Sequence, residues 1–438
     1  MLLLPSFLQF VCLLTGVMTA PTFASWLTLL TGWVFARRRT ITGMIMAAGA
    51  VDTKHHSAFH RVFATAQWSL DKLGLAVFGL ILPFVGDGVI GLSLDDTLAR
   101  KRGLKVYGAG MHHDPLLSSR KVAITNWGHS WVVLAVVVRF PFCSDRVFSL
   151  PVLFRLYLNH KASHRWRVAQ RSRPDLAVQL LHLLCGRYPL RSFHLVADST
   201  YGGQSVLGHL PTNCDLTSRL PLNARLYDAP PPRRPGQVGR PRKRGPRLPT
   251  PQQMLDQQRA RRLTLDLYGR RPDKVRLVDA EARWHEVPQR PLRVVAVEPL
   301  TGGRPTQAFY STAHQQEAEQ VLSRYAGRWS IEETNQGSKT HLGFEEPQGW
   351  TPQAVKRTAP MAMLLYSLIV LWFAQQGHRL YKVPRRPWYT QKRRPSFADM
   401  LATLRRESLK ARVLQEVGPG KERRNLLQLV ELAILPAA

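Results

Sequence analysis

The residues Val89-Ile90-Gly91-Leu92-Ser93-Leu94-Asp95-Asp96-Thr97 join a short apolar run to two adjacent carboxylates. A run of this length and composition predicts a buried β-strand. A second short apolar run, Phe193–Ala197, is followed at once by Asp198. Carboxylates at strand ends in an open α/β sheet point into the crevice where ligands bind. Aspartate also begins turns and caps helices, so neither position alone identifies a site.

The sequence around these runs has the pattern of a mixed α/β core. Residues 121–125, 132–140 and 148–157 are predicted strands, and residues 175–185 are a predicted helix. Residues 132–140 are nearly continuous β-branched sequence, which is typical of a strand buried on both faces.

Composition limits the classes of protein that this chain can belong to. Its 438 residues predict two to four domains, and 45% are hydrophobic, which excludes wholesale disorder. There are 61 Lys and Arg against 29 Asp and Glu, a net charge of +32. We therefore expect a polyanionic partner, with nucleic acid first and an anionic membrane surface second. In so basic a chain, an aspartate at the end of an apolar strand is not expected to be a solubilising charge.

The cysteines and the apolar segments bear on location. Four scattered cysteines without a CxxC pair argue against a zinc ribbon or a disulfide framework and predict a cytoplasmic protein. Residues 1–36 carry no charge and precede three arginines, as a membrane anchor would. Interrupting proline and glycine residues favour buried helices instead. Residues 361–373 are too short to span a bilayer and are a predicted core helix.

The first 75 residues are predicted to be helical. Residues 40–48 form one short helix ended by Gly49, and Ser57 can N-cap a second helix that runs to about Trp68. Two helices beside basic residues resemble a DNA-reading unit. A plain helical pair fits the sequence equally well.

Basic segments lie in the second half of the chain. Residues 224–262 are rich in arginine and proline and predict an extended, poorly ordered arm. Within it, Arg240, Arg242 and Lys243 fit a minor-groove hook or general phosphate contact. Residues 274–312 are predicted strands with a turn at residues 301–303. A helix is predicted at 314–325, a second basic stretch at 379–394 and an amphipathic helix at 397–416.

A set of polar residues follows at helical spacing: Tyr325, Arg328, Glu332 and Lys339. On one helix these positions fall within about 60° of each other, with Asn335 nearly in line. If a new helix begins at Ser330, then Glu332, Asn335 and Lys339 still share a face. A solvated face with an Arg–Glu pair four residues apart is the structural alternative.

The Y-x2-R-x3-E-x6-K pattern of this set resembles the signature of the DDE transposases of bacterial insertion sequences. The branch that it resembles has a large insertion before the last acid. Leu94–Thr97 resembles the D-x-T motif of this family, and Val196–Gly202 resembles its D-x-x-Y-G motif. The resemblance covers about residues 88–375 and has all three motifs in order.

The resemblance implies an RNase H-like α/β fold, a five-stranded mixed sheet flanked by helices. It also implies a triad of Asp95, Asp198 and Glu332 that holds two Mg²⁺ ions, for which Mn²⁺ could substitute. Either Asp95 or Asp96 could be the first ligand, and the D-x-T spacing favours Asp95.

The resemblance further implies contacts with DNA. Tyr325, Arg328 and Lys339 would hold the phosphate backbone near the cut. Trp284, in the expected insertion, would stack on a base flipped out near the transposon end, with strand packing as the alternative.

The expected organisation has five parts. They are a helical DNA-binding region at 1–75, a first part of the catalytic core at 76–221, a basic arm and β-rich insertion at 222–312, a second part of the core at 313–375 and a basic helical region at 376–438.

The expected function is that of a cytoplasmic, nucleoid-associated transposase without a membrane segment. It would bind the terminal inverted repeats of its element as a homodimer and free a 3′-hydroxyl at each end. It would then cut the second strand and join the ends to target DNA. The resemblance implies a DNA hairpin for the second cut, and other second-strand chemistry is the alternative. A non-transposing nuclease of the same fold, an inactive DNA-binding relic and a basic membrane-associated protein are the alternatives.

Overall fold

The structure is a computed structural model that describes residues 2–114, 116–119, 121–233, 238–257, 259–265, 273–301, 304–383, 392 and 394–434. The helices are α1 Pro5–Cys12, α2 Ala20–Phe35, α3 Ile41–Ala47, α4 His56–Ala64, α5 Leu70–Val85, α6 His160–Trp166, α7 Arg173–Arg187, α8 Gln204–Leu207, α9 Pro251–Gln257, α10 Ala318–Gly327, α11 Trp329–Leu342, α12 Pro352–Trp372, α13 His378–Leu380, α14 Phe397–Glu416 and α15 Lys421–Ala433. The strands are β1 Ile90–Arg100, β2 Gly110–His113, β3 Thr125–Phe140, β4 Cys143–Tyr157, β5 Phe193–Ala197, β6 Cys214–Leu220, β7 Leu226–Tyr227, β8 Arg247–Leu248, β9 Arg261–Leu265, β10 Asp273–Trp284, β11 Leu292–Pro299 and β12 Gln307–Ser311.

Five strands form the mixed sheet that the sequence predicts. Their order is β4-β3-β1-β5-β6. The first three pair antiparallel, whereas β5 runs parallel to both β1 and β6. This is the arrangement of an RNase H-like α/β fold, so the predicted fold class is confirmed.

Both faces of the central sheet are covered. Residues 128–136 of β3 are buried without interruption, as expected of a strand with helices on both sides. Helices α5, α7, α11 and α12 all pack against β4. The sheet therefore forms the middle layer of the fold.

The strands of residues 222–312 extend this sheet. β12 pairs antiparallel with β6, and β11, β10, β7 and β8 follow in order. Apolar residues of β10, β11 and β12 pack against Val321, Leu322 and Tyr325 of α10 as a second, smaller core. β6, the edge strand of the five-stranded sheet, thus joins that sheet to the added strands by pairing with β12.

The loop between β1 and β3 differs from the prediction. The strand predicted at 121–125 is wrong, because only Thr125 belongs to a strand and β2 lies earlier in the chain. Serine side chains accept hydrogen bonds from the backbone amides of this segment. Ser119 Oγ accepts from Val122 N at 3.1 Å, and Ser118 Oγ accepts from Ile124 N at 2.9 Å. Backbone groups that bond to nearby serines do not pair with a neighbouring strand.

The N-terminal helices are part of the core, as predicted for residues 1–36. The indole of Trp33 donates to the carbonyl of Leu342 at 2.8 Å, and both residues are buried. Arg357 of α12 donates to the carbonyls of Phe63 and Trp68. These bonds tie α2 and α4 to the helices that follow the central sheet.

The first short helix ends as predicted, but the second does not have the predicted bounds. Gly49 follows α3 with a φ of 64°, the left-handed conformation that favours glycine. The N-cap of α4 is His55, whose ring accepts from Ser57 N, so Ser57 lies inside the helix. The helix ends at Ala64, and the Trp68 indole donates to the carbonyl of Val62 in its last turn at 2.6 Å. The role of α3 and α4 in DNA binding stays a prediction.

The predicted core helix at 361–373 is confirmed. The expectation that it is too short to span a bilayer is wrong. Among the described residues, one continuous helical stretch, Pro352–Leu380, has the length and apolar character to cross a membrane. The helix extends well beyond the apolar run on both sides. Because 89% of its most apolar window is buried inside the protein, the stretch serves as a core element.

The arm at 224–262 has more structure than predicted. β7 pairs with β8, and Pro251 begins α9, whose Met254 and Leu255 are buried. Arginine and proline composition does not exclude such short elements where a few apolar residues reach the core. Of the second basic stretch, residues 384–391 and 393 lie outside the described residues. The amphipathic helix predicted at 397–416 is confirmed as α14.

Two glycines of α5 give a test of this packing. A Cβ at Gly74 would lie 1.9 Å from the carbonyl oxygen of Val152 on β4, whereas a Cβ at Gly79 would have nothing within 4 Å. We expect Gly74→Ala to destabilise the protein by about 1–3 kcal/mol through overpacking. Gly79→Ala should stabilise it by about 0.5–1 kcal/mol through helix propensity. Urea unfolding of both variants measures the difference, and equal effects would contradict this packing of α5.

Candidate active site

The sheet register brings the first two predicted acids together. The parallel pairing of β1 and β5 ends at Leu94 and Ala197, so Asp95 and Asp198 are the next residues on neighbouring strands. The prediction that β1 ends at the acids is wrong, because β1 continues to Arg100 by pairing with β3. The carboxylates therefore lie where the parallel ladder stops and the antiparallel one continues.

The third predicted acid comes from a separate helix. α10 ends at Gly327 and α11 begins at Trp329, so the polar set spans two helices, as in the second of the two alternatives above. Asn335 Nδ2 donates to Asp95 Oδ2 at 3.2 Å, which places α11 directly over β1. Glu332 Oε1 lies 2.7 Å from an Nη of Arg328. Glu332 and Asn335 share one face of α11.

The concentration of carboxylates perturbs the most buried of them. Burial is the largest cause that raises the pKa of Asp95, and the charges of Asp96, Asp198 and Glu332 add to it. Arg328 opposes them, and the pKa of Asp95 is about 7 as the result of all these effects. The mutual effect shows that these side chains share one electrostatic environment. It is also the kind of perturbation that is typical of functional sites.

The two adjacent aspartates have different surroundings. Successive side chains of a strand point to opposite faces, and Asp95 contacts α11 whereas Asp96 contacts α7. Asp96 Oδ2 lies 3.2 Å from Nε of Arg173, and its Oδ1 accepts from the Tyr201 hydroxyl at 3.1 Å. Burial raises the pKa of Asp96, and Arg173 and Tyr201 oppose this rise. Both carboxylate oxygens of Asp96 thus contact other side chains of the protein, on the face of the sheet away from Glu332.

The loop after β5 is fixed by several hydrogen bonds. Asp198 Oδ1 accepts from Thr200 N at 3.0 Å, and its backbone carbonyl accepts from Ser218 Oγ at 2.9 Å. The Tyr310 hydroxyl donates to the carbonyl of Gly202 at 2.6 Å. A Cβ at position 202 would lie 2.3 Å from Ser218 Oγ, so this close approach requires glycine. The D-x-x-Y-G sequence therefore has a structural reason at its last position.

The chemistry of the donor set fits a hard divalent cation. Carboxylate oxygens are the ligands that Mg²⁺ prefers. Burial is the largest cause of the raised pKa of Asp95, and the neighbouring acids, whose charge a cation would neutralise, add to it. Among the described residues, however, no three His, Cys, Asp or Glu side chains are grouped closely enough to hold a metal ion. Each carboxylate bonds instead to a donor of the chain: Arg328, Asn335 or Thr200. Joint coordination requires Glu332 to rotate away from Arg328.

The other residues of the polar set lie beside the carboxylates. Tyr325 is 5% exposed, and its ring lies 4.6 Å from that of Phe309. Arg219 and Arg328 lie over the Tyr325 ring, 5.5 and 5.7 Å from its centroid. Lys339 is half-buried, and burial lowers its pKa, which Glu345 opposes. The structure thus groups Tyr325, Arg328 and Lys339 around the acids, with the tyrosine ring in the core.

The residues predicted to contact DNA outside this set lie elsewhere. Trp284 is 7% exposed and packs 6.1 Å from Tyr310, so it matches the strand-packing alternative and presents no open ring face to a base. Arg240, Arg242 and Lys243 are exposed on the irregular segment between β7 and β8. Their contact with DNA stays a prediction.

The sequence did not reveal two residues of the site. Arg173 is the first residue of α7, and only the capping box formed by Ser172 and Asp175 marks that position. Nothing in its spacing connects it with Asp96. Tyr201 was visible as part of a motif, but its bond to Asp96 joins residues 105 positions apart.

The chain matches a known family. A family model described as "DDE superfamily endonuclease" matches residues 12–272. The matched segment contains helices α2 to α5, Asp95 and Asp198, and it ends before Glu332. No curated protein matches the chain significantly.

The perturbed pKa predicts a pH-dependent effect of Asp95→Asn on stability. An acid with a raised pKa in the folded state binds more protons there than in the unfolded chain, so its contribution to stability falls as pH rises from about 4 to 7. A pKa of about 7 instead of 3.8 corresponds to at most about 4 kcal/mol.

Asp95→Asn should therefore stabilise the metal-free protein more at pH 8 than at pH 5. Urea unfolding in EDTA at both pH values measures this gain. A gain in stability that does not change with pH would show that the pKa of Asp95 is not raised in the folded protein.

Proposed function

Because this chain belongs to the DDE superfamily endonucleases, we propose that it is a transposase that cuts and joins DNA at the ends of its own element. The observation that carries the proposal is the convergence of Asp95, Asp198 and Glu332 from β1, β5 and α11. These are the acids of the three motifs that resemble those of transposases.

The proposed cofactor is a pair of Mg²⁺ ions, with Mn²⁺ as a substitute. Bound ions would activate the attacking oxygen and stabilise the leaving oxygen of a phosphodiester. Asp95, Asp198 and Glu332 would supply the oxygen ligands. Asp96 would stay paired with Arg173 and Tyr201 and so leave Asp95 as the first ligand.

The residues around the acids would hold the substrate. Arg328 lies beside Glu332, and its guanidinium can contact a phosphate on the same side as the carboxylates. Lys339, one turn beyond Asn335 on α11, interacts electrostatically with Asp95 and can contact the next phosphate. If Glu332 held a metal ion instead of Arg328, the guanidinium would be available for this contact.

The proposed partner is double-stranded DNA. A net charge of +32 supports strong binding to a polyanion. The exposed Arg240, Arg242 and Lys243 would add phosphate contacts away from the site. We further propose that two copies act together at the two ends of the element, in the nucleoid of the cell. A first strand cut by water and later attacks by 3′-hydroxyl groups would use the same site.

The decisive experiment uses the purified protein and a supercoiled plasmid that carries the DNA flanking its gene on both sides. Mg²⁺-dependent double-strand breaks at paired inverted-repeat edges would support a transposase and map its ends. Scattered cuts would favour a general nuclease of the same fold. Binding without cleavage would favour an inactive relic.

Replacing the acids should separate cleavage from binding. Asp198→Asn and Glu332→Gln should lower the cleavage rate by about 10³-fold or more, because several kcal/mol of charge stabilisation are lost. DNA affinity should stay within about threefold, since the cationic contacts remain.

Glu333→Gln is the matched control for Glu332→Gln. Glu333 is the next residue on α11, is exposed and pairs with Arg146 at 2.9 Å. This variant should cleave at nearly the wild-type rate. Loss of DNA binding in the Asp198 and Glu332 variants would mean that these acids are structural.

The adjacent aspartates should differ in the same assay. Asp95→Asn should abolish cleavage, whereas Asp96→Asn should lower it by only about 10–100-fold, because in this proposal Asp96 positions its neighbours and binds no metal ion. The reverse result would make Asp96 the first metal ligand.

A further inference from the structure

Three buried serines form a continuous chain of hydroxyl groups beneath the carboxylates. Ser93 Oγ lies 2.7 Å from Ser149 Oγ, which lies 2.6 Å from Ser330 Oγ. Ser93 and Ser149 are fully buried and Ser330 nearly so. The chain therefore connects β1, β4 and α11 through the interior of the protein.

The direction of these hydrogen bonds follows from the number of protons. Each hydroxyl has one proton to donate. Ser330 donates its proton to the carbonyl of Gly327 at 2.8 Å. The arrangement in which this carbonyl and both serine acceptors each receive a proton has Ser149 donating to Ser330 and Ser93 donating to Ser149. In this arrangement all the donors of the serine chain point the same way, from β1 to the junction between α10 and α11, and Ser149 is the central member.

A second bond joins Ser149 to the same helix. Thr334 Oγ1, also buried, lies 2.8 Å from the carbonyl oxygen of Ser149 and 3.0 Å from that of Ser330. Ser149 thus contacts the first two turns of α11 with both its side chain and its backbone. No other serine–serine contacts of this kind join β4 to α11 among the hydrogen bonds of the described residues.

Each end of the serine chain is two residues before one of the acids in sequence. Ser93 is two residues before Asp95 on β1, and it therefore points to the same face of the sheet. Ser330 is two residues before Glu332, in the first turn of α11. A buried polar network in which every member has a partner favours one arrangement of the elements it joins. Apolar packing alone would permit α11 to shift along the sheet.

We propose that Ser149 is a positioning residue that fixes Glu332 relative to Asp95 through Ser93 and Ser330. It contacts neither substrate nor metal, and its effect on activity rests on the proposed function. Its effect on the geometry of the acids does not require that the protein cut DNA.

The test is direct binding of Mn²⁺, followed by electron paramagnetic resonance in the absence of DNA. Ser149→Ala leaves Ser93 without an acceptor and Ser330 without a donor, so Glu332 loses its fixed position. We expect the dissociation constant for Mn²⁺ to rise about tenfold, as for other residues that orient metal ligands. Ser149→Cys keeps a weak donor and acceptor and should fall between Ser149→Ala and the wild type.

Ser367→Ala is the matched control. Ser367 is also fully buried, and its hydroxyl donates to the carbonyl of Pro151 on the same strand at 2.8 Å, but it lies on α12, which carries no acid of the site. Its substitution should lower the melting temperature about as much as Ser149→Ala and leave Mn²⁺ affinity unchanged. Asp198→Asn establishes which bound Mn²⁺ belongs to the acids.

The outcomes separate the two proposals. Mn²⁺ affinity within twofold of wild type in Ser149→Ala, or an equal loss in Ser367→Ala, would overturn the role of Ser149. A wild type that binds Mn²⁺ but cuts no DNA would refute the transposase, and the comparison of the serine variants would still decide the role of Ser149. A wild type that binds no Mn²⁺ at these acids would overturn both.

Discussion

The repulsion among carboxylates that meet at one point of the sheet is the constraint on which this structure depends. Asp95 and Asp96 lie on β1, Asp198 directly follows β5 and Glu332 lies on α11. Burial, together with the charges of the other three acids, raises the pKa of Asp95 to about 7. Such a group of like charges persists only where the surrounding fold holds it in place. The parallel pairing of β1 and β5, the buried serines beneath and the packing of α11 on the sheet all act against this repulsion.

Each of these acids has a different partner that offsets its negative charge. Arg328 pairs with Glu332, Asn335 bonds to Asp95, and Arg173 with Tyr201 engages Asp96. Of these partners, Arg173 and Tyr201 lie on the face of β1 opposite α11. Arg328 lies on the same side as α11. The two adjacent aspartates therefore have different environments: Asp96 bonds to Arg173 and Tyr201, and Asp95 bonds to Asn335.

Much of this architecture could be predicted from local sequence. The buried strands at 132–140, 148–157 and 193–197 and the helix at 397–416 were visible because apolar periodicity follows directly from burial. The loop at 121–125 was mistaken for a strand because serine hydrogen bonds, and not a neighbouring strand, satisfy its backbone. The break at Arg328 was left open, since its residues fit one helix or two. Arg173 and the serine chain join residues far apart in the sequence, and no local pattern contains that information.

The bonds between the first 34 residues and residues 342–408 have a consequence for synthesis on the ribosome. The segment that holds α1 and α2 bonds to residues that are translated much later: Leu4 bonds to Ser408, Trp33 to Leu342, and Val34 to Arg405. Domains usually fold as units while the chain emerges. Here the N-terminal helices have no complete surface to pack on until α14 has been translated. A polypeptide that stops earlier exposes the apolar surface of these helices, so a shortened product does not fold into a free N-terminal module.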